Sequence, residues 1–166
     1  GFNFEIKAKE TAEVYPPTLK REEVAIFLSE LKVKAFENEL SEQDVVLTSD
    51  TIVCLKAEIL GKPRNKKDAI EMLNKLSGEK HEVITAVTLL AKEKTHTFYE
   101  VTEVFFKTLA AQEIEFYVDN FQPYDKAGSY GIQEWIGFVG IEKINGSYFN
   151  VMGLPVKKVY EELLKF

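Results

Sequence analysis

An α/β protein, with a mixed β-sheet flanked by helices, is the fold that this sequence predicts. Three observations point there. The runs Val45–Leu55, Glu82–Leu90 and Thr95–Thr108 are rich in β-branched and aromatic residues, as strands are. Between them, apolar residues recur at helical spacing, as in Val24, Phe27, Leu28 and Leu31. The two patterns alternate irregularly, which suits a mixed sheet better than a strict doubly wound repeat. The 166 residues are most simply one domain, long enough to bury a proper core.

Taken in order, residues 2–8 alternate apolar and polar and read as a short strand. Pro16-Pro17 then breaks the chain, and an amphipathic helix is expected over about residues 19–38. The next strand, Val45–Leu55, is interrupted by the polar Thr48-Ser49-Asp50-Thr51. Asn65, with Asp68 three residues on, starts a helix whose buried face is Ala69, Met72, Leu73 and Leu76, and Ser77-Gly78 stops it. Glu82–Leu90 and Thr95–Thr108, joined by Lys92-Glu93-Lys94, form a hairpin. Ile114, Tyr117, Val118 and Phe121 mark a helix ended before Pro123, and Phe138–Ile144 reads as a strand before a turn at Asn145-Gly146. Pro155 opens a last helix with Val156, Val159, Tyr160, Leu163 and Leu164 inward.

Composition narrows the function. A net charge of −6 and a pI near 5.1 argue against a surface that coats nucleic acid. No segment approaches the roughly 18 apolar residues of a membrane span. Cys54 is the only cysteine, which suits a reducing cytoplasm, and it falls in an apolar run that reads as inert core. With His81 and His96 the only histidines, and no HExxH or CxxC spacing, a structural zinc site is not expected.

The chemistry-bearing residues are few. Tyr124-Asp125-Lys126-Ala127-Gly128-Ser129-Tyr130-Gly131-Ile132-Gln133 packs an acid, a base, two glycines and an amide into one short segment. Fully extended, Lys126 and Gln133 would stand roughly 24 Å apart, so both reach one small ligand only if the glycines bend the chain. Asp50 sits in a strand, where a carboxylate costs free energy unless it is solvated, paired or bound to a cation. By itself it reads more readily as a structural acid than as a base. Lys62, before Pro63, could offer a point charge to a phosphate, although an isolated lysine is usually a solvated surface group. Lys34, near the end of the first helix, reads by default as a snorkelling lysine. Glu13 could help hold a divalent ion that carries nucleotide phosphates. His81 reads as a packing histidine, and Trp135 as buried or interfacial more readily than as a base-stacking platform.

Five ordered runs change that balance. Ser49-Asp50-Thr51-Ile52-Val53, Gly61-Lys62-Pro63, Leu76-Ser77-Gly78-Glu79-Lys80-His81-Glu82-Val83, Asp125–Gln133 and Gly146–Pro155 closely resemble the Maf family, and they cover nearly the whole chain. The resemblance implies a two-lobed α/β fold, related to ITPase-like enzymes, with the site in the cleft between lobes. It implies a nucleoside triphosphate pyrophosphatase that releases the monophosphate and pyrophosphate with a divalent cation, Mg or Mn. The loop looks like the subgroup acting on dTTP and UTP.

Carried over by motif, Asp50 is the proton acceptor, and Thr51 and Gln133 match positions tied to base choice. Lys34, Lys62 and Lys126 gather the triphosphate, and Glu13 with Asp50 faces the metal. A homodimer is also implied. Two alternatives stay open: a non-catalytic nucleotide-binding regulator of cell division, and a pyrophosphatase for another base such as 7-methyl-GTP. Three departures stand out. Ser49 stands where alanine is usual, and Glu134 where glycine is usual, which could narrow the base pocket. The family's opening strand and Ser-x-x-Arg-Arg-type loop have no counterpart, and the chain begins at Gly1 without Met, so a further N-terminal segment is expected.

Overall fold

The β-branched run Val46–Leu55 forms strand β1, around which the rest is arranged in the computed structural model, which describes residues 2–166. Glu58–Leu60 (β2), Lys80–Ala91 (β3), Lys94–Phe106 (β4) and Ile141–Asn145 (β5) complete one sheet of order β2-β1-β3-β4-β5. Every pairing is antiparallel, so the expected mixed sheet is corrected to an antiparallel one. For β1–β2 and β3–β4, short connections enforce this. Leu55 pairs with Glu58 and Ala91 with Lys94, and turns that tight can only reverse the chain.

Successive side chains of β1 point to opposite faces. Ile52 and Cys54 meet Val24, Ala25 and Leu28 of helix α1 (Glu22–Lys34). Val53 and Leu55 face the larger core under helices α2 (Lys66–Leu76), α3 (Ala111–Phe121) and α4 (Trp135–Gly140). Leu73, Leu76, Tyr117 and Ile136 are completely buried there, and truncating one such leucine to alanine costs about 2–5 kcal/mol. A one-turn helix α5 (Tyr148–Val151) and helix α6 (Val156–Leu163) follow β5. Asn65 caps α2 as expected, accepting from the Asp68 N–H at 3.0 Å.

Four expectations change. Residues 2–8 form no strand, and Phe4 and Ile6 are exposed, because alternation alone cannot hold a strand without a partner ladder. The first helix is shorter, Glu22–Lys34, followed by a 3-10 turn at Glu37–Glu39. The strand expected from Phe138 starts only at Ile141, because Trp135–Gly140 coils into α4. Gly137 permits that packing: a Cβ there would stand 1.9 Å from the Ile132 carbonyl oxygen. On α6, Val159 is buried, but Val156, Tyr160 and Leu164 face outward.

Candidate active site

β2 pairs with β1 only over Val53–Leu55, so the preceding residues Val46–Ile52 bond to β3 alone. A cleft of about 550 Å³ lies along this part of β1, within the size range of small-molecule sites. Glu13, Lys32, Asp50, Thr51, Lys62, Lys126 and Gln133 all line it. Six of the seven residues singled out from the sequence therefore share one hollow.

Asp50 lies in regular strand, opposite Ala86, with no bulge to excuse its charge. It is 8% exposed, and its Oδ1 accepts from Lys32 Nζ at 2.5 Å. Burial pushes the Asp50 carboxyl above its usual value, opposed by the hydrogen bond and charge of Lys32. Burial alone would lower the Lys32 ammonium, yet contacts with Asp50 and Glu13 outweigh it and hold Lys32 raised. Glu13 bridges two lysines, at 3.1 Å from Lys32 and 2.6 Å from Lys62. Partial burial would raise Glu13, but these two lysines hold its carboxyl below the usual range.

Lys34 does not join them, and this corrects its assignment. Lys32 follows Leu28 by four residues and continues the stripe that faces β1. Lys34 is two residues further, about 200° around the helix, and is exposed away from the cleft. The signal for Lys32 was present in the sequence as a lysine on the apolar stripe, four residues beyond a buried leucine.

The other wall is the glycine loop. The Gly128 N–H donates to the Gly61 carbonyl at 3.1 Å, tying the loop to the segment that carries Lys62. Gly128 takes φ +67° and presses on Val53, where a Cβ would come within 2.9 Å of that side chain. Below it, Tyr130 is buried, and its hydroxyl lies 2.7 Å from His81 Nε2, with Phe106 edge-on to both rings. Burial drives the His81 pKa down to about 4, so this histidine is neutral and serves packing, as its sequence context suggested.

At the mouth of the loop, Lys126 Nζ lies 2.8 Å from Asp125 and 3.1 Å from Glu134. Gln133 is exposed to the cleft. Glu134 turns toward Lys126 and Tyr117, and it is not among the residues lining the cleft. Thr51 points to the face opposite Asp50, bonded to Thr85 at 2.9 Å and close to Gly153. Trp135 packs edge-on against Phe116, away from the cleft.

Among the described residues no three His, Cys, Asp or Glu side chains converge as a metal cage. Glu13 and Asp50 instead offer two hard oxygen donors joined through Lys32. Carboxylate oxygens of this kind suit a hard divalent cation, which takes one or two of them and fills its remaining positions with phosphate and water.

Comparison with known proteins agrees with the motifs. Residues 1–166 match the family described as Maf-like protein. This chain belongs to the Maf family. A relative from Flavobacterium johnsoniae, named dTTP/UTP pyrophosphatase, is 50% identical over 97% of this chain and 83% of its own length. Relatives of the same name from Bacteroides fragilis and Cytophaga hutchinsonii are 49% and 47% identical, matching 85% and 75% of their own lengths. The Maf-family cleft thus carries a buried acid, three lysines and an exposed amide, with Lys32 in the place expected of Lys34.

Proposed function

We propose that this Maf-family protein is a nucleoside triphosphate pyrophosphatase that hydrolyses dTTP and UTP to the monophosphate and pyrophosphate. One observation carries the reading: a buried carboxylate, Asp50, shares a cleft with Lys32, Lys62, Lys126 and Gln133, in a chain whose near-full-length relatives are named for that reaction.

Asp50 is the general base. A carboxylate whose pKa is raised by burial accepts a proton from water more readily than an ordinary aspartate. It takes the proton as water attacks the α-phosphorus and the bond to the bridging oxygen breaks. Lys32, Lys62 and Lys126 balance the charge that collects on the departing pyrophosphate. The Gln133 amide, which both donates and accepts, pairs with the edge of uracil or thymine, and Thr51 supports that end of the site. Glu13 and Asp50 would hold a Mg²⁺ or Mn²⁺ ion, which supplies further neutralisation of the phosphates. The lone buried Cys54 accords with a cytoplasmic enzyme. The homodimer implied by the family resemblance is checked by light scattering.

The test is incubation with dTTP, UTP, CTP and 7-methyl-GTP in Mg²⁺ or Mn²⁺. Expected products are dTMP and UMP with pyrophosphate. Release of orthophosphate and a diphosphate, or faster turnover of 7-methyl-GTP, would overturn the reading.

A further inference from the structure

One chain of polar contacts runs from the buried core to the cleft without a part in the chemistry above. Tyr117, on α3, is completely buried, and its hydroxyl lies between two groups of the glycine loop. It accepts from the Gly131 N–H at 3.0 Å and donates to Glu134 Oε2. The other oxygen of Glu134 lies 3.1 Å from Lys126 Nζ. Gly131 makes room for this pair: a Cβ there would stand 3.0 Å from Glu134 Cδ and 3.1 Å from Lys126 Cε. Burial, then the bond to Glu134, raises the Tyr117 phenol, so it stays a donor.

The two carboxylates beside Lys126 differ in kind. The Asp125 side chain is 75% exposed, and an ion pair in water yields readily to an incoming phosphate. The Glu134 side chain is 19% exposed and braced from beneath by the phenol. We propose that Tyr117 and Glu134 are positioning residues that hold the Lys126 ammonium where it meets the phosphates of the substrate. This rests on the reading of Lys126 as a phosphate-binding cation. A free lysine side chain is flexible, and an anchored one binds an anion without first losing that freedom.

A pair of double-mutant cycles tests it. Glu134→Gln keeps an acceptor for Tyr117 and removes the less exposed of the two charges beside Lys126. Its kcat/KM for dTTP is expected to fall about tenfold, chiefly through KM. In a Lys126→Gln background the same change is expected to alter kcat/KM by less than about twofold. Tyr117→Phe, which frees the Glu134 carboxylate, is expected to reduce activity in the parent and not in Lys126→Gln. Equal losses in both backgrounds, or a Glu134→Gln enzyme as active as the parent, overturn the positioning role. If Lys126→Gln alone retains parental kcat/KM, the phosphate role of Lys126 fails instead, and the inference falls with it.

Discussion

The two charged walls of the cleft are built differently. On the α1 side, Asp50 and Glu13 share Lys32, and Glu13 also holds Lys62. Asp50 is nearly inaccessible, and its only protein donor among the described residues is the Lys32 ammonium. On the loop side, Lys126 and Glu134 are half-buried, and the phenol of Tyr117 braces the carboxylate from the core. One wall keeps a carboxylate where burial opposes its charge. The other spends buried hydrogen bonds on holding a cation still. On the proposed function, chemistry needs the first, because a base that is too comfortable as an anion will not take a proton. Binding of the phosphates, on the same proposal, needs the second, because its part is to be in place.

The contrast breaks most visibly at Asp50. Asp50→Asn is expected to lower turnover about 10³-fold or more while leaving substrate binding measurable. Its melting temperature is expected to stay level or rise. The folded pKa of Asp50 lies above its unfolded value, so the folded state binds the proton more readily and stability falls as pH rises through that window. Removing the charge removes that penalty. For the same reason the acid limb of kcat/KM is expected above the pH at which an ordinary aspartate titrates. A limb at or below it would contradict burial as the dominant influence.

Next comes Lys32. Lys32→Ala is expected to reduce kcat/KM about 100-fold, and Lys34→Ala to leave it within about twofold, in steady-state assays with dTTP. Lys32→Ala also strands a buried carboxylate and is expected to lower unfolding free energy by about 1–3 kcal/mol in urea titrations. Adding Asp50→Asn is expected to recover most of that loss. If Lys34→Ala proves the more damaging variant, the assignment of the two lysines is reversed.

The braced wall is probed from below through His81. Its folded pKa of about 4 lies under the unfolded value near 6.5, so only the unfolded chain takes a proton between them. The stability this contributes is complete above about pH 6.5 and fades as pH falls toward 4, about 3 kcal/mol in all. Urea unfolding across that range is expected to show the decline, and His81→Gln to flatten it. The smallest effect is at Gln133. Gln133→Ala is expected to cut discrimination between UTP and CTP about tenfold, measured as a ratio of kcat/KM values. An unchanged ratio would remove Gln133 from base choice.

Legibility followed the range of the interaction. The α2 start at Asn65, the β3–β4 hairpin and the loop glycines were readable because caps, turns and close approaches are local. The strand that the sequence suggests at residues 138–140 coils instead, because an aromatic and β-branched stretch can form a helix when its glycines let it pack against backbone. Sequence alone suggests that Glu134 narrows the base pocket, because its partners, Tyr117 and Lys126, lie on a different helix and at the far end of the loop.

The motifs in the amino-acid order were enough to place this chain in its family and to single out Asp50, Lys62, Lys126 and Gln133. Residue type and local spacing carry that information. The place of Lys32 on the apolar stripe was legible too, but its pairing with Asp50, the side of β1 the acid takes and what steadies the loop were decided only when the helices packed. Those are contacts between residues far apart in the chain, such as Lys32 with Asp50 and Tyr117 with Glu134, and burial sets their strength.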